Sequence, residues 1–430
     1  MEQLLHYIWK HRMLPLAPLQ TDGGMDVEVI DPGLPNPHAG PDFFNSKIRI
    51  GSTLWAGNVE IHAKASDWFA HGHHTDPRYD NVILHVAASL DARAQTSRGT
   101  FPPQMQLDLP PGFAERYDSL ALADGLPPCR KVVGRMPRVA VSAWMGALAA
   151  ERIDRKAADI ARRAEASHGS WDDAFFATLA RNYGFGVNSE AFEAWAGSFS
   201  LAAAGRHRDN IFQIEALFLG QAGLLSELSM PLRRRGAAMS DAYFVRLKAE
   251  YGFLSRKFGL RPIDWQLWRF LRLRPQNFPT LRLAQLAALY VSRQATLSRL
   301  VDCSTVEEAR SLFRAAVSPY WRTHYVFGLE SREQDKRLSE RSADLLIINT
   351  AVPALLAYGK HKGGEALCRR ASDMLESLRP EDNAAVRAWS GVGIDIRNAA
   401  DSQAIVQLQS RYCDRRDCLR CRFGYEWLKR

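Results

Sequence analysis

"GPDFFNSKIRIGSTLWAGNVEIHAKASDW", residues 40–68, decides how the first part of the chain folds. "SKIRI" alternates Ile48 and Ile50 with Lys47 and Arg49, "GST" is a turn, and "NVEIHAKA" alternates Val59, Ile61 and Ala63 with Glu60, His62 and Lys64. Period-two alternation on both sides of a turn reads as a β-hairpin, with Val59, Ile61 and Ala63 toward a core and Glu60, His62 and Lys64 on the opposite face. "SDW" at 66–68 opens a short helix near Ser66 or Asp67. "NVILHVA" at 81–87 is a near-continuous apolar strand, as expected at the buried centre of a sheet, and its His85 reads as a hydrogen-bonded structural histidine. Asp42 stands in a Gly-Pro-Asp turn ahead of the hairpin, where its side chain can approach the polar face of the next strand. A solvated outer face gives the same alternation; the acid in the turn and the buried strand beyond it favour a site.

The whole chain sets limits on that site. With 430 residues it is long enough for two or three domains and at least one substantial core. The 56 Lys and Arg against 47 Asp and Glu give a formal charge of +9, which suits an anionic partner such as nucleic acid and also serves solubility. "MEQLLHYIWKHRML" has no uninterrupted apolar region or small-residue cleavage site, and no later run reaches the roughly 18 apolar residues of a membrane span. The expectation is a cytoplasmic protein without a membrane partner. Up to about residue 125 the chain is rich in Pro, Gly and His, and eight of its twelve histidines precede residue 86. Beyond it long helical patterns dominate, as in "WMGALAAERIDRKAADIARRAEA" at 144–166, where Met145, Leu148, Ile153, Ala157 and Ile160 are helically spaced. We expect an α/β domain over 1–125 and a large all-α domain over 126–430.

Two carboxylates that meet across adjacent strands hold a hard cation through oxygen and leave its remaining positions to water and phosphate. Pro41-Asp42 followed by Glu60-Ile61-His62 resembles the PD-(D/E)XK restriction-endonuclease-like superfamily, whose pattern is Pro-Asp, a spacer, Asp or Glu, any residue, then Lys. The resemblance covers about the first 90 residues. It implies a restriction-endonuclease-like fold, Asp42 and Glu60 as ligands of Mg²⁺ or Mn²⁺, and metal-dependent nuclease activity. His62 replaces the expected Lys; it serves as ligand or base, while Lys64, about 6.6 Å further along the same face, stabilises the phosphate. Glu2 adds a carboxylate, as first-helix acids do in some members. The chain also resembles an uncharacterised bacterial family known as a domain of unknown function, through "GPDF", "GNVEIH", "LRLRPQNFPTLRLAQLA", "INTAVPALLAYG" and "DSQAIVQLQSRYCDRRDCLRC". That likeness implies one recurring unit and no activity.

Three other features compete for attention. "HGHHTD", with His71, His73, His74 and Asp76, invites comparison with the His-x-His-x-Asp-His run of metallo-β-lactamase-like hydrolases but is out of register with it. Zinc held by two of these imidazoles, a polar active-site loop and a plain surface loop all stay open. Cys413, Cys418 and Cys421 form C-x4-C-x2-C in the last 18 residues, a spacing that holds zinc or an iron-sulfur cluster once a fourth ligand joins, with Cys368, His361, Cys129 and Cys303 as candidates. From Arg256 to Arg282 seven basic residues and one acid interleave with Trp265, Trp268, Phe270 and Phe278; on a helical surface Arg269, Arg272 and Arg274 would track a phosphate backbone. Amphipathic packing with outward arginines explains the same residues. The expected function is a divalent-metal-dependent nuclease; the alternative is a non-catalytic nucleic-acid-binding or scaffold protein on a degenerate nuclease fold.

Overall fold

The computed structural model describes the chain except for residues 15–17, 37, 124 and 126, and it resolves into two compact units, Met1–Met136 with Ser410–Arg430, and Pro137–Gln409. The change of texture at 125 is therefore not where the units divide. The chain end belongs with the sheet-containing unit because it is bonded there: Trp427 Nε1 donates to Arg116 O at 3.2 Å, Arg116 Nε donates to Leu428 O at 3.2 Å, and the Arg416 guanidinium donates to Ala123 O. Helical periodicity shows that a segment is helical and not which sheet it packs beside.

In the first unit the amphipathic helix α1 (Glu2–Lys10) buries Leu4, Leu5, Ile8 and Trp9 and leaves Glu2 and His6 half-buried on another face. A mixed sheet follows, built from β1 (Leu19–Gln20), β2 (Asp26–Asp31), β3 (Leu34–Pro35), β4 (Phe43–Ile50), β5 (Thr53–Lys64), β6 (Val82–Ser89) and β7 (Gln104–Gln106). The spatial order is β1-β2-β4-β5-β6-β7, with β3 beside β4. β4 and β5 form the expected antiparallel hairpin, and β6 is the expected buried strand, paired in parallel with β5 through Glu60 opposite His85. β7 continues in parallel and sets Gln104 opposite His85. At Gly57, where β5 comes against β6, a Cβ would lie 2.4 Å from Ile83 Cγ2, so only glycine admits the approach. Ile48, Ile50, Val59 and Ile61 are all buried, in keeping with the alternation. An antiparallel bridge from Thr21, next to β1, to Met105 in β7 ties one edge of the sheet to the other. Helix α2 (Asp67–Ala70) starts where "SDW" places it; Ser66 does not cap it, because its N–H and hydroxyl donate to Asp91 at 2.9 and 2.8 Å.

The second unit is largely helical, as expected, with one small antiparallel pair, His324–Val326 and Leu329–Glu330. The 29-residue helix Arg138–Ala166 buries Met145, Leu148, Ala157 and Ile160. Helices Ile211–Gln221 and Pro279–Ser292 are apolar nearly all round and occupy the core, where Trp195, Phe218 and Leu283 are fully buried. Glu340–Lys362, 23 residues, is long and apolar enough to cross a membrane by length and composition, and 67 % of its most apolar stretch is buried inside this unit.

Candidate metal centre

Glu60 and His62 project from the same side of β5, and their side chains are only 5 % and 1 % exposed. Asp42 meets them from the turn before β4. Its backbone N–H donates to Glu60 Oε2 at 3.0 Å, and the Ile61 N–H donates to Asp42 Oδ2 at 2.9 Å, so the two acids are locked together across the strands. Helix α2 then ends at His71, and Gly72 takes a left-handed conformation, φ +76°, that glycine adopts without a Cβ penalty. That turn brings His73 over the acid pair. His73 Nε2 is 3.0 Å from Glu60 Oε1; His62 Nε2 is 3.4 Å from the same oxygen and 3.2 Å from His71 Nδ1. Among the described residues, His62, His71 and His73 are the set whose ligand atoms all lie within 4.8 Å of one another. His62 and His73 are buried and His71 is exposed, so the cluster has a dry floor and an open side. Trp68 and Tyr79 wall it: Tyr79 stacks on His73 at 3.8 Å between centroids, and Trp68 meets His85 at 5.1 Å and His73 at 5.5 Å.

The hydrogen bonds fix where protons sit. The Gln104 side-chain oxygen accepts from Ala94 N–H and its NH₂ donates to Ala92 O, so the same NH₂ must face His85 Nδ1, 3.2 Å away. His85 therefore carries its proton on Nε2 and donates it to His62 Nδ1 at 2.9 Å. His62 is left with its proton on Nε2, directed toward Glu60 and His71. Burial, then the neighbouring imidazoles, push the His62 pKa down to about 2 and that of His85 down to about 4, so both stay neutral. Burial, reinforced by the charge of Asp42, raises Glu60 far above the usual carboxylate range. The His73 pKa is lowered, chiefly by burial. On α1, burial of His6 works against its charge, but the hydrogen bond and charge of Asp42, 3.3 Å from His6 Nε2, outweigh it and the pKa rises.

These residues fit a divalent ion. His73 Nε2 is buried without a hydrogen bond, even though Glu60 Oε1 lies close by. A buried imidazole nitrogen left in that state calls for an explanation, and a cation shared with Glu60, Asp42 and His71 supplies one. His85 and Gln104 act one step further back: they hold His62 with its Nε2–H turned toward Glu60 and His71.

Of the residues singled out in the sequence, Asp42, Glu60 and His62 come together, and Glu2 lies one helical turn before His6, within electrostatic reach of Glu60. Lys64 does not join them. β5 ends there, the side chain is exposed, and its charge acts on Asp91 outside the cluster. His71 and His73 belong to the same cluster and are not a separate zinc site, whereas His74 packs on Phe69 and Asp76 pairs with Arg78. His6 and Gln104 were missed; the one signal for His6 was its spacing four residues after Glu2 in an amphipathic stretch.

The basic segment is not a helical surface. Residues 259–278 run as loops and short turns, and Arg272 has φ +62°, which no α-helix accommodates. Arg269, Arg272 and Arg274 are exposed, and so is Leu271, at 83 %. Arg274 opens into a cleft of about 610 Å³ lined also by Arg282, Lys336, Arg337 and Arg341. A second cleft of about 440 Å³ is lined by Arg152, Arg155, Lys156, Arg163 and Arg181, and Phe185 and Leu345 border both. Asp159 and Glu381 are the acids lining the second, Asp335 the acid lining the first. Lys156 donates to Asn349 Oδ1 and Gln403 Oε1, and burial, then Arg152, hold its pKa well below the usual range for an ammonium.

Residues 2–384 match the model of the family described as "Protein of unknown function (DUF2851)", and the chain belongs to that family. No curated protein and no solved structure matches it. The matched region holds every residue of the candidate metal centre and of both clefts and stops short of Cys413, Cys418 and Cys421.

Proposed function

We propose that the first unit is a divalent-metal-dependent phosphodiesterase acting on nucleic acid, built on a restriction-endonuclease-like sheet. Family membership carries no activity, so the proposal rests on the site. The observation that carries it is the convergence of Glu60, Asp42, His62, His71 and His73 from a turn, a strand and a short helix, with His73 Nε2 left without a hydrogen bond. The acid pair meeting across two strands of a mixed sheet supports the restriction-endonuclease-like reading. Imidazole beside carboxylate suits Mn²⁺ or Zn²⁺ better than Mg²⁺, which takes oxygen ligands.

Glu60, Asp42, His71 and His73 would hold the ion. When bound, it polarises a phosphate and lowers the pKa of water in the site. His62, oriented by His85, presents an N–H donor to a phosphate oxygen. His6 supplies what Lys64 does not: it sits beside Asp42, its side chain is 31 % exposed, and its raised pKa favours the cationic form, so it can neutralise charge developing on the phosphate. Expelling solvent from the buried floor strengthens each of these interactions. The second reading, a non-catalytic nucleic-acid-binding protein, is favoured by the displacement of Lys64. Metal-dependent turnover of single- and double-stranded DNA and RNA, with Mn²⁺ or Zn²⁺ added back after chelation, separates the two.

The clefts of the second unit support the choice of substrate. Apart from Lys156, whose pKa is lowered by burial, nine Arg and Lys side chains line them against three acids, a balance that suits a chain of phosphates. Arg274→Gln with Arg337→Gln and Arg341→Gln removes three exposed charges from one cleft. We expect the slope of log affinity against log salt to flatten by about 2 for a single-stranded oligonucleotide, near 0.7 per phosphate contact. Fluorescence anisotropy across a salt series reads it; an unchanged slope would take nucleic acid out of these clefts.

A further inference from the structure

The cysteine-rich chain end lies outside the metal centre described above, and the structure names its missing partner. Cys129 precedes the short helix α3 (Arg130–Val133). The terminal helix Arg422–Leu428 packs against α3, and Cys421 stands immediately before it. Cys418 and Cys421 form a tight turn in which the Cys421 N–H donates to Cys418 O at 3.2 Å. Gly424 lies over that turn so closely that a Cβ would be 2.2 Å from Cys418 O. Cys413 begins the loop, where Arg416 N–H donates to Cys413 O at 3.1 Å and Arg416 itself takes φ +56°. The result is a four-thiol nest: Cys129, Cys418 and Cys421 are 4 %, 8 % and 6 % exposed, Cys413 is half-buried, and Cys129 lies within electrostatic reach of all the others. Cys303 and Cys368, the remaining cysteines, belong to the other unit.

We infer that Cys129, Cys413, Cys418 and Cys421 together bind one thiophilic metal centre that fastens the chain end to the first unit. Three of the four thiols are almost out of water, and they arrive from positions nearly 300 residues apart in the sequence. Four thiolates close the shell of a zinc ion or fill the four protein positions of an iron-sulfur cluster, leaving no place for substrate. Around one zinc ion, with bonds of about 2.3 Å, sulfurs stand roughly 3.8 Å apart. No three of these sulfurs lie within 4.8 Å of one another, so loading either draws the loop at Cys413 inward around a single ion or fills the wider space with a cluster. Arg416 beside the loop offsets part of the negative charge. The centre is structural, and this reading does not depend on the phosphodiesterase.

The test starts from the full chain carrying His71→Ala and His73→Ala, so that metal at the imidazole cluster does not enter the count. The protein is purified without oxygen, and zinc, iron and acid-labile sulfide are measured per chain. We expect either one zinc, or iron and sulfide in cluster proportion with visible absorbance. Cys129→Ser and Cys421→Ser should each lose that metal and lower Tm by on the order of 5–10 °C, while Cys303→Ser keeps the metal. If the cysteine variants do not fold, the parent is treated with a chelator and melted: a matching fall in Tm, reversed by adding back the metal found, supports the centre. A parent without zinc or iron, or full metal content in Cys129→Ser, overturns it.

Discussion

Glu60→Gln should lower metal-dependent phosphodiester cleavage by about 10²- to 10³-fold, the scale on which single charge-stabilising groups act in catalysis, and leave the fold intact. Glutamine keeps an oxygen to accept from the Asp42 N–H, the bond that seats Glu60 at 3.0 Å, so the hairpin retains its geometry. What it loses is the ability to give up a proton and present a negative charge to a cation beside His73 and His62. Asp42→Asn tests the other half of the pair: it still accepts from the Ile61 N–H but no longer holds His6 in its charged form. Cleavage assays with each variant, alongside thermal melts, separate loss of chemistry from loss of fold. If both variants cleave at the parent rate, the acid pair is structural and the proposed mechanism fails.

Metal binding should strengthen about tenfold per pH unit between about pH 6 and 8, the slope of one released proton. In the metal-free folded state Glu60 has a raised pKa and keeps its proton near neutrality, whereas in the unfolded chain it ionises near the ordinary 4.5. Over that window the folded state binds more protons than the unfolded one, so Glu60 makes stability fall as pH rises. His62 acts in the opposite sense: with its pKa down to about 2 against 6.5 in the unfolded chain, it makes stability fall as pH drops below about 6.5. A cation takes the place of the Glu60 proton and removes the penalty at high pH. The rise in Tm on adding Mn²⁺ or Zn²⁺ should therefore be larger at pH 8 than at pH 6, and Glu60→Gln should abolish that difference. A metal-induced shift that stays level with pH in the parent would mean that Glu60 gives up no proton and is not a ligand.

The sequence carried the centre of this site and lost its rim. Asp42, Glu60 and His62 were legible because period-two alternation puts Glu60 and His62 on one face, and a turn residue can only reach the strand next to it. Lys64 lies on that same face, but alternation cannot say where a strand ends, and β5 ends at Lys64. His71 and His73 looked like a rival site because their approach depends on one left-handed glycine, Gly72, whose conformation spacing does not record. An imidazole inside an apolar strand signals a hydrogen-bonded His85, yet its partner follows from the parallel register of β5 and β6, which is a long-range property. The arginines at 269, 272 and 274 show the converse error: regular basic spacing suggested a helix, and backbone geometry at Arg272 forbids one. Cys129 could not be chosen over Cys368, His361 or Cys303, since separation along the chain says nothing of separation in space.

The division of the chain has a consequence for how the protein is made. Residues 137–409 are inserted between the two parts of the first unit, so its last segment leaves the ribosome roughly 300 residues after the sheet is complete. At about 5–20 residues per second the sheet and its imidazole cluster wait roughly 15–60 s for the stretch of chain that finishes the unit. During that interval the surfaces later covered by Arg422–Leu428 are open, and the helical unit has time to fold first. The unit begun first is thus completed last, which makes residues 410–430 a timing element: a chain truncated before Ser410 would carry the whole imidazole cluster on a unit that never closes.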